Sequence, residues 1–399
     1  MNDDFMDKIF KTAVIACSSV TMTLTAQAAE PTDTASQQLF EIKNTCIVRF
    51  DDGISKFDVK GRARGMVAAA NAQAKHIYKH SIKGFAVNMN CGKAKAAFAG
   101  QNDIVSFEPD SLMVLYPGPP SGKGKKDSTT TESQVIPWGI TRVGYLPVDP
   151  PIDNTGLTAW ILDTGIDLDH PDLTVDAARG FSAFTSRKDS SYDDGHGHGT
   201  HVAGTIAAID NEIDVVGVAA GATVVPVKVL NSRGSGSTSG VIAGIDWVAA
   251  NASPGDCANL SLGGSYSQDL NDAVVNASTY GDKDIYFALA AGNESQNAMN
   301  TSPASAGKNE YDNIWTISAI DTEGNFASFS NFGNPPIEFA APGVGILSLK
   351  RGGGTTIKNG TSMAAPHACA VLMLTMGEPD SDGTANGETD GNPDLIIHL

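Results

Sequence analysis

Two hydrophobic patterns divide the chain. From Pro137 onward short, uninterrupted apolar runs recur, at Thr158–Leu162, Val224–Leu230, Ile285–Leu289 and Ile314–Ile317. Uninterrupted rather than alternating runs mark strands buried on both faces. Helical stretches such as Gly240–Ala250 fall between them. The pattern predicts an α/β fold: a doubly wound, mostly parallel sheet with flanking helices. Upstream, over residues 45–116, the signals are shorter. Ile47–Phe50, Gly84–Val87 and Ile104–Phe107 read as strands, Gly61–Tyr78 and Lys93–Ala99 as helices. That order predicts a small α+β domain of the split βαβ, ferredoxin-like kind.

Between the two patterns, residues 117–132 are Pro, Gly, Ser, Lys and Thr with almost nothing apolar. Such a stretch predicts an exposed, cleavable linker before a main domain over 133–399. No apolar run approaches the ~18 residues of a membrane span. At the N-terminus, Lys8 and Lys11 precede a mildly apolar stretch ending in Ala26-Gln27-Ala28. This predicts a secretory signal over residues 1–28, with Met6 as an alternative start. A rival reading makes Cys17 the acylated cysteine of a lipoprotein. Cys46 and Cys91 can pair within the small domain, and the sequence alone does not pair Cys257 with Cys369.

Charge sharpens the division. The net charge is −18, yet residues 30–128 hold 14 Lys+Arg against 10 Asp+Glu, while residues 129–399 hold 11 against 32. An acidic main domain argues against a nucleic-acid partner. The opposite signs predict attraction between the two parts.

In a doubly wound sheet, reactive groups gather at the carboxyl ends of the strands. The first main-domain strand ends in Asp163-Thr164-Gly165. A histidine-rich segment, His196-Gly197-His198-Gly199-Thr200-His201, opens a helical run. Ser362 follows a glycine turn in Gly360-Thr361-Ser362-Met363-Ala364-Ala365-Pro366-His367, where a helix N-terminus favours developing negative charge. Together they supply a nucleophile, a base and an orienting carboxylate.

These motifs, in the order Asp…His…Ser, resemble the subtilisin family over the stretch from Gln134 to about Pro379. The resemblance implies a serine endopeptidase that cuts protein or peptide substrates through an acyl-enzyme. Asp163, His198 and Ser362 would form the triad, and Asn293 of Ala290-Ala291-Gly292-Asn293 would donate to the oxyanion. Gly234, Ser235 and Gly236 on one side and Ser261, Leu262 and Gly263 on the other resemble the edges that clamp an extended peptide. Ala290, Ala291 and Gly292, with Thr301 at the base, would line a broad, apolar-leaning first pocket. Gln134, Asp172, Asn211 and the carbonyls of Ile209, Ile213 and Val215 resemble a structural calcium site. The small domain, through Gly84-Phe85-Ala86 and Phe107-Glu108-Pro109-Asp110, resembles the family's inhibitory propeptide. The mature chain would then start near Ser133, secreted and monomeric.

Other readings are weaker. His196-x-His198-x-x-His201 has a zinc-like spacing. However, Thr200 stands where a binuclear hydrolase would want an acid, so His201 reads as a structural helix residue. A catalytically dead peptide-binding relative would need a damaged triad. A processing convertase would need more than the 37 residues that follow Ser362. The run Asp380, Asp382, Glu388, Asp390 and Asp394 reads as a solvated tail.

Overall fold

The strands before residue 116 pair as a small antiparallel sheet. In the computed structural model the described residues are 34–116, 118–119, 133–146, 153–185, 189–307, 313–388 and 390–399. The expected signal, including Cys17, and nearly all of the expected linker lie outside them. The chain divides into residues 1–40 and 41–399. Helix α1 (Thr34–Lys43) straddles that boundary, and every other described element lies within residues 41–399.

β1 (Cys46–Phe50), α2 (Lys56–Ala69), β2 (Ala74–Tyr78), β3 (Gly84–Val87), α3 (Cys91–Ala97) and β4 (Ile104–Pro109) succeed one another in chain order, with the strands arranged β2-β3-β1-β4. Ser55 caps α2 and Asn90 caps α3 through side-chain bonds to main-chain N–H groups. The helix expected over Gly61–Tyr78 stops at Ala69. Asn71 turns the chain at φ 53°, a conformation asparagine tolerates well, and residues 74–78 pair with β3 instead. Cys46 and Cys91 form a disulfide that ties β1 to α3. A fifth strand, β5 (Leu112–Val114), leaves this sheet and joins another.

In the main domain, α4 (Trp138–Arg142) precedes β6 (Thr158–Asp163), β7 (Thr174–Val175), β8 (Phe181–Ser182), α5 (His198–Ala207), β9 (Thr223–Lys228), β10 (Ser235–Ser237) and α6 (Thr238–Asn251). Then come β11 (Cys257–Leu260), β12 (Gly263–Ser265), α7 (Gln268–Ser278), β13 (Tyr286–Ala290), β14 (Thr301–Ser302), β15 (Ile314–Ile320) and β16 (Ile337–Pro342). The hairpin β17 (Ile346–Leu349) and β18 (Thr355–Lys358), helix α8 (Thr361–Leu374), β19 (Asp380–Thr384) and β20 (Leu395–His398) close the described chain. Among the described residues the large sheet runs β19-β20-β16-β15-β13-β11-β6-β9-β7, with β8 beside β9, and its central pairs are parallel.

Both faces of that sheet are covered, which is why its strands read as unbroken apolar runs. Along β6, Ala159 and Ile161 face a core shared with α5 and α8, and Trp160 and Leu162 face the core under α6 and α7. Cys257 on β11 and Cys369 in α8 form a second disulfide. It closes a separation of 112 residues, for which chain entropy predicts roughly 4–5 kcal/mol.

The chain moves from β6 outward to β9, then crosses back to β11 on the other side. That reversal opens a crevice at the carboxyl ends of β6, β9 and β11. The acidic C-terminal run departs in part from expectation. Asp380–Thr384 and Leu395–His398 pair onto the sheet instead of forming a loose tail; the carboxyls of β19 remain solvated as expected, but Asp394 is fully buried with Ser318 donating to it. Pairing of two short strands, invisible in a charge count, draws Asp394 inward, while Asp380, Asp382 and Asp390 stay exposed.

Candidate active site

Asp163, His198 and Ser362 reach the crevice from three separate elements. Asp163 ends β6, fully buried, and its Oδ1 accepts the Thr164 N–H at 2.7 Å. His198 is the first residue of α5, and its Nδ1 donates to the Asp163 carboxylate at 2.8 and 2.9 Å. Asp194, also fully buried, laces this corner together. It accepts the N–H groups of His196, Gly197 and Thr200 and the hydroxyls of Thr164 and Thr200, all within 3.0 Å. Those bonds hold its carboxyl below its ordinary range despite burial.

Ser362 stands in the first turn of α8. Gly360 precedes it at φ 141°, a left-handed conformation that favours glycine. The Ser362 hydroxyl donates to the Ser261 carbonyl at 3.1 Å, while Ser261 Oγ donates back to the Ser362 carbonyl at 2.8 Å. Asn293 comes just after the β13 end, and its Oδ1 accepts Thr361 N–H and Oγ1–H, each at 2.9 Å. Its amide nitrogen is therefore turned toward the cleft.

That cleft holds a segment of the chain itself. β5 lies antiparallel between β10 and β12, pairing Val114 with Ser235 and Gly263, and Met113 with Gly236 and Gly264. Leu115 N–H donates to the Gly234 carbonyl at 3.0 Å. The next carbonyl, that of Tyr116, accepts the Asn293 amide at 3.1 Å. The Tyr116 ring lies against Gly263, where any Cβ would overlap it. Beyond it, Asn359 Nδ2 donates to the Pro119 carbonyl at 2.9 Å. Gly234, Ser235, Gly236 and Gly263 thus flank the seated strand. Ser261 contacts Ser362, and the Leu262 side chain turns into the core.

Sequence reasoning did not identify Tyr116 as the occupant, and it left out Glu294. Burial pushes the Tyr116 hydroxyl up, and the nearby Glu294 charge adds to the effect. Tyr116-Pro117-Gly118-Pro119-Pro120 at the start of the linker was the available signal, since a stretch so rich in proline favours an extended chain.

The small domain is anchored beside the cleft. Asp110 accepts from Ser239 at the start of α6, and Glu108 accepts from Asp269 and Ser267 at the start of α7. In return Asp246 of α6 accepts three successive N–H groups, from Lys79, His80 and Ser81. Arg49 pairs with Asp272 and Asp269.

The loop over 209–215 is bonded to Gln134 and Val135 at the start of the main domain. Gln134 Nε2 reaches the carbonyls of Ile209 at 2.7 Å, Val215 at 3.2 Å and Ile213 at 3.4 Å, and Asn211 Oδ1 at 3.4 Å. Asn211 Nδ2 donates to Asp172 Oδ1 at 2.6 Å, leaving the buried Asp172 Oδ2 without a partner. Converging carbonyl oxygens around an orphaned carboxylate suit a hard cation such as calcium. Burial pushes the Asp172 carboxyl up to about 7. Among the described residues no three His, Cys, Asp or Glu side chains are placed to hold a metal, so any cation here would depend on main-chain oxygens. His201 is fully buried, with Nε2 bonded to the Ile346 and Thr356 carbonyls at 3.1 and 3.2 Å. His196 is half-buried, its ring 6.4 Å from that of His198.

Comparison with known proteins gives a consistent result. A profile of the subtilase family (peptidase S8) matches residues 154–388. The subtilisin-like serine protease AsES of Sarocladium strictum is 36% identical over 349 residues, covering 84% of this chain and 80% of that protein. Subtilisin-like protease 3 of Arthroderma benhamiae is 42% identical over 358 residues, covering 84% and 83%. The crystal structure of a cold adapted subtilisin-like serine proteinase superposes with a TM-score of 0.56 at 33% identity, over 67% of this chain and 98% of that one.

Proposed function

The chain belongs to the subtilase family of serine proteases, and from that premise we propose that it is a secreted endopeptidase made as a self-inhibited precursor. One observation carries the reading: β5 occupies the cleft as a substrate would, edge-paired on both sides, with the Tyr116 carbonyl on the Asn293 amide. A cleft that clamps an extended strand and aims a donor at one carbonyl is suited to acyl transfer from peptides. A catalytically dead peptide binder is not favoured, because Asp163, His198, Ser362 and Asn293 are all present.

In this mechanism His198 Nε2 takes the proton of Ser362 Oγ as the hydroxyl turns away from the Ser261 carbonyl. Oγ bonds to the peptide carbonyl carbon, and the oxygen that becomes negative receives the Asn293 amide. His198 then protonates the departing nitrogen, leaving an acyl ester on Ser362. Water, deprotonated by His198, hydrolyses that ester and restores the serine. Asp163, bonded to Nδ1, holds the tautomer and stabilises the imidazolium. Calcium, when bound by Asp172, Asn211, Gln134 and the carbonyls of Ile209, Ile213 and Val215, would tie the 209–215 loop to the start of the main domain. Residues 45–116 act as the inhibitory propeptide and 117–132 as the linker cut during maturation.

Intact mass of the full chain and of Ser362→Ala, both expressed with calcium, tests the proposal. Wild type shortened to a start between about Thr129 and Ser133, with the variant left whole, is the expected outcome. If both remain whole in folded form, the peptidase reading of this site falls.

A further inference from the structure

β9 ends on a lysine buried within the scaffold of the triad. Lys228 is 1% exposed and stands opposite Asp163 in the parallel register of β9 and β6. Its Nζ donates to the Thr164 carbonyl. Thr164 adjoins Asp163, bonds the Asp163 carboxylate through its own N–H, and links by its hydroxyl to Asp194 at 2.8 Å and to Gly199 N–H at 3.0 Å. Two fully buried carboxylates, Asp163 and Asp194, and one buried ammonium therefore share a single corner. Charges out of water are tolerated when they are paired and hydrogen-bonded. Burial pulls Lys228 down, and the carboxylates of Asp194, Asp189, Asp163 and Asp193 act against that.

We infer that Lys228 is a positioning residue for peptide hydrolysis: its ammonium holds the Asp163–Thr164 turn in place and supplies the counter-charge that keeps Asp163 set against His198. The inference rests on the triad reading of the proposed function. It has a geometric and an electrostatic consequence. Without the bond from Nζ, the Thr164 carbonyl is left unpaired in the interior and the turn carrying Asp163 loosens. Without the charge, no ammonium offsets the Asp163 and Asp194 carboxylates that stand beside the imidazole. The other charged or titratable groups around this corner are Asp163 from β6, Asp189, Asp193, Asp194 and His196 before α5, and His201 within it. Lys358 from β18 acts on His196 and His201. An opening of about 430 Å³ beside Lys228 is bordered by Asp189, Asp193, Arg233 and Arg351.

The test uses Lys228→Met and Lys228→Gln in the full chain, matured with calcium and assayed on a peptide amide across pH. For Lys228→Met, kcat is expected to fall about tenfold or more with KM within about twofold, as for an interaction made in the transition state. The acid limb of kcat/KM should move to higher pH by roughly half a unit. Lys228→Gln keeps a donor for the Thr164 carbonyl and drops the charge. It should show the same limb shift with a smaller loss of kcat. An acid limb coinciding with wild type in either variant, with only the melting temperature lowered, overturns the inference. His198→Ala and Ser362→Ala run beside them separate the two readings. Activity surviving in those controls removes the triad itself, whereas dead controls with an unmoved limb remove only the role of Lys228.

Discussion

At the scale of single residues, the groups that matter are defined by what they lack. Asp172 is buried with one carboxylate oxygen unpartnered, a state that costs roughly 1–3 kcal/mol unless a proton or a cation relieves it. Four oxygens already face Gln134 beside it. A chelator is therefore expected to lower the melting temperature of the full chain by several degrees, whereas Asp172→Asn, which needs no cation, should respond little. Differential scanning fluorimetry with and without EDTA reads this directly. A wild type indifferent to EDTA would remove calcium from the account. Ser362 differs, in that its hydroxyl has a partner in the Ser261 carbonyl that it must release to react.

At the scale of elements, β5 is the piece that joins the two parts of the chain. It belongs by sequence to the small domain and by hydrogen bonding to the cleft. The peptide bond on the far side of the Tyr116 carbonyl leads to Pro117. A proline nitrogen has no N–H and is closed into a ring, so in the proposed mechanism it could not reorient freely to take the proton from His198 and leave. Under the proposed function β5 would therefore act as an inhibitor in this register rather than a substrate, and the maturing cut would fall at a bond further along the linker. Pro117→Ala in the full chain should be cut after Tyr116, seen by intact mass, while wild type is not. A wild-type cut after Tyr116 would contradict this. The helix misread over Gly61–Tyr78 belongs to the same scale. Alanine-rich residues favour a helix locally, yet pairing with β3 decides residues 74–78.

For the whole molecule, the C-terminal strands concentrate negative charge at one edge of the sheet. Burial raises Glu338 to about 8, Glu388 to about 7 and Asp394 to about 6; the Asp394 charge adds to the effect at Glu338, Asp394 and Asp390 at Glu388, and Asp390 at Asp394. Each folded value lies above the ordinary carboxylate value near 4. At these three sites the folded chain binds more protons than the unfolded one between about pH 4 and 8, so their contribution to stability falls as pH rises through that window. His76, His201 and His367, pulled down by burial, oppose it below about pH 6.5. In the Ser362→Ala background, which avoids self-digestion, the melting temperature should drop from about pH 6.5 to 8.5. Glu338→Gln should flatten the dependence. An unchanged slope in that variant would mean that the strain lies elsewhere.

Much was present in the amino-acid order alone. The parallel sheet announced itself because strands buried on both faces must be apolar throughout. The candidate residues Asp163, His198, Asn293 and Ser362 stand in short local motifs whose glycines and neighbours do not depend on distant contacts. Tertiary structure alone decided what fills the cleft, which cysteines meet across β11 and α8, and that Lys228 and Asp394 are buried. The reason is physical. Periodicity and turn chemistry are properties of a few consecutive residues, whereas strand partners, counter-charges and burial depend on residues brought together from far along the chain.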